Sequence, residues 1–219
     1  MIKIKKLFAI TLIAGFFALT SCSNSDQKAS NSNMHMNHDS SMNSAHTMNS
    51  DHEMMNAMNT NMSEMHEMKP SGDFDCDFAN MMILHHQSAV NMSKLVIAKG
   101  ANEEIQSLAK NIKTNQEAEI VKMHTIIKNF KTIAPDGKPV KIHEELTESM
   151  NSMMSGMSSV KTTGNIDKDF VMLMIPHHES AVKMAKDELK YGKQPELKEM
   201  AKMMIANQEK EINMFKALL

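Results

Sequence analysis

The sequence predicts an all-α protein, a four-helix bundle built from two copies of one helical hairpin. Three observations lead there. A block centred on two adjacent histidines occurs twice, as DFANMMILHHQSAVNMSK at 77–94 and DFVMLMIPHHESAVKMAK at 169–186. The offset of 92 residues holds without a gap from 77–124 to 169–216, with 20 of the 48 positions identical, which marks an internal duplication. Finally, the apolar residues after position 73 recur at the helical period, and no segment alternates as a strand does.

The elements follow in order. Residues 1–22 read as an export signal: Lys3, Lys5 and Lys6, a short apolar run at 7–19, then Leu19-Thr20-Ser21-Cys22. The run is too short to span a bilayer comfortably. Leu-Thr-Ser-Cys resembles a bacterial lipobox, which implies that Cys22 becomes the acylated first residue and anchors the chain to a membrane. With Cys22 acylated, Cys76 has no partner left and is expected to be a quiet packed thiol. Residues 23–72 contain no Val, Ile or Leu, and Phe is absent before the end of that stretch, so a disordered tail is expected, with a fluctuating helix at most over 51–68.

Residues 73–131 form the first hairpin. Phe78, Met82, His85, Ala89, Met92 and Val96 make a core seam on its first helix, ending at Gly100. Ile105, Ala109, Ile112, Gln116, Glu119, Met123 and Ile127 make the seam of its second helix, which Pro135, Gly137 and Pro139 follow. Residues 132–166 are a linker with a short, Met- and Ser-rich helix, a lid or crossover. Residues 167–219 repeat the hairpin, with Pro195 suited to the first turn of its second helix. Two antiparallel pairs joined by a long connection make a four-helix bundle.

Charge narrows the function classes. The chain has 24 Lys plus Arg against 26 Asp plus Glu, and every one of the 24 is Lys. Losing the three signal lysines leaves a net charge of −5. An acidic chain without Arg is a poor nucleic-acid binder, so no nucleic-acid partner is expected.

The repeated block carries the chemistry. Neighbours on a helix point about 100° apart, so His85 faces the seam and His86 its edge, with Met82 and Met92 on the same helix. The second copy repeats this with Met174, His177, His178 and Met184. The facing helices add Gln116 and Glu119, and Gln208 and Glu211, each pair three residues apart on one face. Two readings stay open: a buried hydrogen-bonded layer that fixes register, or metal ligation by imidazole with Met or carboxylate completing the shell. Pro176, where the first copy has Leu84, should kink its helix and make the two sites related rather than identical.

The tail speaks to the metal. Residues 34–68 hold ten Met and five His: Met34, His35, Met36, His38, Met42, His46, Met48, His52, Met54, Met55, Met58, Met62, Met65, His66 and Met68. Thioether sulfur is a soft, neutral ligand that favours Cu(I), and Ag(I) by the same softness; imidazole adds affinity for Cu(II). With no core for these methionines to fill, the rival reading is a sacrificial oxidant sink, which leaves the interleaved histidines unexplained.

At MIPHHESAVKMAK, followed by YGKQPEL and NQEKEI, the chain resembles the family called domain of unknown function 305. Its pattern is a Met before His-His, Ala and Met after it, and Gln-x-x-Glu on the next helix. The resemblance implies an exported bacterial protein with a ferritin-like bundle, in a family with members tied to copper binding and tolerance. By position it marks Met174, His177, His178, Met184, Gln208 and Glu211, and Met82, His85, His86, Met92, Gln116 and Glu119 in the first copy, which departs at Leu84 and Gln87.

The expectation is a lipid-anchored copper-binding protein of the bacterial envelope, at the periplasm or cell surface. It would sequester or deliver Cu(I) or Cu(II), without an organic cofactor, alongside other copper-handling envelope proteins. No nucleophile–base pair points to catalysis. The alternatives are a ferritin-like di-metal oxidase, whose Glu-x-x-His pairs the long helices lack, and a non-metal structural or interaction bundle.

Overall fold

The computed structural model describes residues 48–129 and 140–219, with side chains described over 53–129 and 144–219. Its elements, all helices, are α1 (Met48–Asn59), α2 (Met62–Glu67), α3 (Phe74–Lys99), α4 (Glu103–Asn129), α5 (Val140–Ser159), α6 (Ile166–Tyr191) and α7 (Pro195–Ala217). The two expected hairpins are α3–α4 and α6–α7. They join through α3 and α6, which pack on each other, while α4 and α7 touch only lightly. Phe78, Met82, Ala89, Met92 and Val96 are all buried, as the seam requires.

The tail expectation needs correction. Residues 48–67 fold as α1 and α2 and pack against α3, with Met54, Met58, Met62 and Met65 buried. Methionine supplies the apolar volume here, because an unbranched thioether fits helical propensity and irregular gaps alike. Met55 and Met68 are half-buried and His66 is exposed. Met48 and His52 lie on the α1 backbone. Cys22, Met34, His35, Met36, His38, Met42 and His46 lie outside the described residues. The linker helix is also longer than expected, and α5 packs along α6.

These two corrections are one. Shifted by 92 residues, α1–α2 falls on α5: both begin at equivalent positions, 48 and 140, and end at 67 and 159. Met58, Met62 and Met65 correspond to Met150, Met154 and Met157. Gly72 and Gly164 follow at φ 86° and 78°, a left-handed turn that glycine adopts without strain. Each repeat is therefore a three-helix unit.

Aspartates stitch the units together. Asp73 and Asn165 cap α3 and α6, accepting from Cys76 N at 3.2 Å and Lys168 N at 3.0 Å. Asp77 and Asp169 hold the preceding turns, accepting from Ser71 N and Thr163 N at 2.8 and 2.7 Å. The middle pair crosses between repeats. Asp167 accepts from Ala101 N and Asn102 N, at 2.7 and 3.0 Å, at the entry to α4. Asp75 accepts from Lys193 N and Gln194 N, at 2.9 and 2.8 Å, at the entry to α7. Gly100 and Gly192 end their helices at φ −65° and −62°, so they are not left-handed caps. They are small because a Cβ there would strike the carboxylates of Asp167 and Glu188.

Helix α6 continues through Pro176, over which α5 places Gly156; a Cβ on Gly156 would lie 2.9 Å from the proline Cβ. Cys76 is buried and disulfide-bonded rather than the free thiol expected, and what it bonds lies outside the described residues. Among the described residues no helix is long and apolar enough to cross a membrane.

Candidate metal centre

The two histidine pairs meet. The rings of His85 and His177 lie 3.8 Å apart, centroid to centroid, where α3 crosses α6. His86 and His178 flank them, 6.3 and 6.0 Å from their neighbours. All four rings are buried. The sequence suggested two separate sites; the fold brings both into one centre across the repeat boundary.

The outer histidines are oriented by carboxylates. His86 Nε2 donates to Glu119 Oε2 at 2.7 Å, and His178 Nε2 to Glu211 Oε2 at 2.8 Å. On a neutral ring this bond fixes the proton on Nε2 and leaves Nδ1 a bare lone pair facing the interior. Glu119 and Glu211 thus hold the two outer rings in place.

The inner rings have no such partner. Both nitrogens of His85 and of His177 are buried without a hydrogen bond, as is Nδ1 of His86 and of His178. Unmet polar groups in a core are costly. Burial pushes the pKa of His85 and of His177 well below the usual imidazole value, and the neighbouring histidines push it further. Both rings are therefore neutral at pH 7 and carry lone pairs rather than charge.

Gln116 and Gln208 are buried on the facing helices; Gln116 Oε1 and both side-chain polar atoms of Gln208 lack partners. Met82, Met92, Met174 and Met184 are fully buried on α3 and α6. Among the described residues, no three of His, Cys, Asp and Glu converge tightly enough to surround an ion as they stand. What remains in this core is imidazole nitrogen, amide and thioether sulfur, a neutral donor set whose soft members are the sulfurs.

Sequence reasoning missed that His85 faces His177. The signal was present in the duplication: an internal two-fold sets equivalent residues opposite each other where its axis passes. It also missed Glu188, fully buried near the C-terminal end of α6 where repeat 1 has Val96. Burial, with Asp75 beside it, pushes the Glu188 carboxyl up to about 9.

The fold and centre define a class: duplicated, all-helical proteins with a buried histidine pair in each half. The chain belongs to the family described as domain of unknown function (DUF305), whose model matches residues 18–127 and 75–219. A DUF305 protein from Streptomyces coelicolor is similar at 25% identity and a TM-score of 0.53, over 68% of this chain and 93% of that one. CopM in an Ag-bound form is similar at 28% identity and a TM-score of 0.50, over 66% and 93%. A DUF305 fragment from Deinococcus radiodurans, at 22% identity and a TM-score of 0.50, shares the fold. No curated protein matches the chain.

Proposed function

We propose that this protein binds copper in the bacterial cell envelope, for sequestration, tolerance or delivery. The observation that carries the reading is the His85–His177 pair, two neutral buried rings in contact with every ring nitrogen unpartnered. A register-fixing layer would satisfy those nitrogens, as the Glu119 and Glu211 bonds satisfy Nε2 of His86 and His178. An ion held by both inner rings answers them directly. With the ring centroids only 3.8 Å apart, an ion between them would have to spread or turn the rings, so loading would reshape the α3–α6 contact.

The donor set favours a soft ion. Carboxylates are tied to the outer histidines, and α3 and α6 carry buried thioethers at Met82, Met92, Met174 and Met184. Such ligands prefer Cu(I) and Ag(I) over hard divalent ions. The Ag-bound form of CopM, a structural relative, supports the same choice. A di-metal oxidase would want a cluster of carboxylates, which makes that alternative the weaker one. We take Met34, His35, Met36, His38, Met42 and His46 as exchangeable capture ligands ahead of the bundle. Of the Met-rich stretch behind them, Met54, Met58, Met62 and Met65 serve the core.

Export and a lipid anchor at Cys22 belong to the same proposal. A thioether-linked Cys22 cannot also form a disulfide, so mass spectrometry of the membrane fraction decides between acylation and a bond to Cys76.

The test is bound metal. The mature protein and a form starting at Met48 are equilibrated with buffered Cu(I), Cu(II), Fe(II) and Zn(II). Copper retained by the shorter form and lost on His85→Ala with His177→Ala supports the centre. No copper on either form sinks the proposal, and two irons per chain would favour the oxidase.

A further inference from the structure

The hairpins α3–α4 and α6–α7 keep the same register at the centre, since His86 meets Glu119 at 2.7 Å and His178 meets Glu211 at 2.8 Å. One helical turn beyond Glu211 stands Phe215, fully buried, edge-on to His178 at 5.3 Å and to Phe170 at 5.9 Å. One turn beyond Glu119 stands Met123, also fully buried. With the offset of 92, Met123 holds the place of Phe215. Repeat 1 thus has a thioether where repeat 2 has an aromatic ring against its second histidine.

Register places a second sulfur there. In the antiparallel α3–α4 hairpin, the His86–Glu119 contact sets residue 82 on α3 opposite residue 123 on α4. Met82 is fully buried. It lies one turn before His86, whose Nδ1 is buried without a partner.

We propose that Met123 is a copper ligand supplied from outside the repeated motif. Together His86 Nδ1, Met82 and Met123 form a thioether-rich half-site that repeat 2 lacks. The inference rests on the reading of the bundle as a Cu(I) site. Two neutral sulfurs and one imidazole nitrogen suit a soft monovalent ion, and they offer nothing to a hard divalent one. Repeat 2 keeps His178 and Met174, but Phe215 fills the third place with carbon. Repeat 1 departs from the family pattern at Leu84 and Gln87, yet the position one turn past its Gln-x-x-Glu makes it the softer half.

The test uses the full mature chain, with Cu(I) distributed anaerobically between protein and bicinchoninate. Four proteins are compared: wild type, Met123→Leu, Met200→Leu as a buried methionine of α7 three helical turns before Glu211, and the His85→Ala/His177→Ala pair. Leu for Met conserves volume, and circular dichroism checks the fold. Tail ions are common to all four. Met123→Leu should weaken one ion by at least the roughly 10- to 100-fold that losing an outer-shell partner costs. Met200→Leu and Zn(II) uptake should be unchanged. If Met123→Leu retains every ion at wild-type affinity while the histidine pair loses one, this inference is overturned alone. If the histidine pair also loses nothing, the bundle is not a copper site and both readings fall together.

Discussion

Replacing Glu188 with Gln should stabilise the protein, and increasingly so as pH rises. Glu188 is fully buried beside the Asp75 carboxylate. Its pKa rises from 4.5 to about 9, through burial first and the nearby Asp75 carboxylate second. The folded state therefore keeps a proton that the unfolded chain releases above pH 4.5. A group whose folded pKa is raised contributes fully below its unfolded pKa, and that contribution is lost as pH climbs toward the folded value. The loss is about 1.4 kcal/mol per pH unit, so by pH 7 it amounts to about 3 kcal/mol. Glutamine keeps the shape of the protonated acid and has nothing to ionise. The two proteins should match near pH 4.5 and diverge steadily to about pH 9, with Glu188→Gln ahead by roughly 6–12 °C in Tm at pH 7. Thermal unfolding followed by circular dichroism at unit pH steps measures this. Other titrating groups cancel in the difference. Parallel curves across the whole range would refute the reasoning.

Three further outcomes follow from the same geometry. The depressed pKa values of His85 and His177 make these rings a source of acid instability: their contribution is present above the unfolded value of 6.5 and lost as pH falls below it. His85→Gln with His177→Gln should flatten the acid limb of the stability profile. Glu119→Gln should free the His86 tautomer and weaken copper binding by roughly 10- to 100-fold with little change in Tm, read by chelator competition. Asp75→Ala removes the acceptor of two backbone N–H groups of the other repeat and should cost about 2 kcal/mol in urea unfolding, adding to the effect of Asp167→Ala.

The helical seams were legible because Phe78, Met82, His85, Ala89, Met92 and Val96 fall on one stripe, and burial follows that stripe. The segment containing α1 was not legible. The apolar part of its buried face is built from Met54, Met58, Met62 and Met65, and a run without Val, Ile, Leu or aromatics reads as unable to fold. The duplication held the answer, since Met58, Met62, Met65 and Gly72 recur 92 residues later. At the centre, the partners of His86 and His178 could be named from the Gln-x-x-Glu spacing, because hairpin neighbours are local in register. The contact of His85 with His177 depends on how α3 crosses α6, which no local pattern encodes. Asp75 likewise accepts from backbone N–H groups more than a hundred residues away, a partnership set by how the repeats dock and not by any local pattern.

That crossed pair of aspartates has a consequence for what counts as a complete molecule. Asp75 finishes the α7 entry and Asp167 the α4 entry, so neither half can close its own hairpin. The facing rings likewise need one histidine from each side. A chain of half this length, expressed alone, would still find both missing pieces in a twin of itself. Two such twins would rebuild the whole centre, with His85 meeting its own image, and the peptide that joins the halves here would be a convenience of stoichiometry rather than a structural necessity.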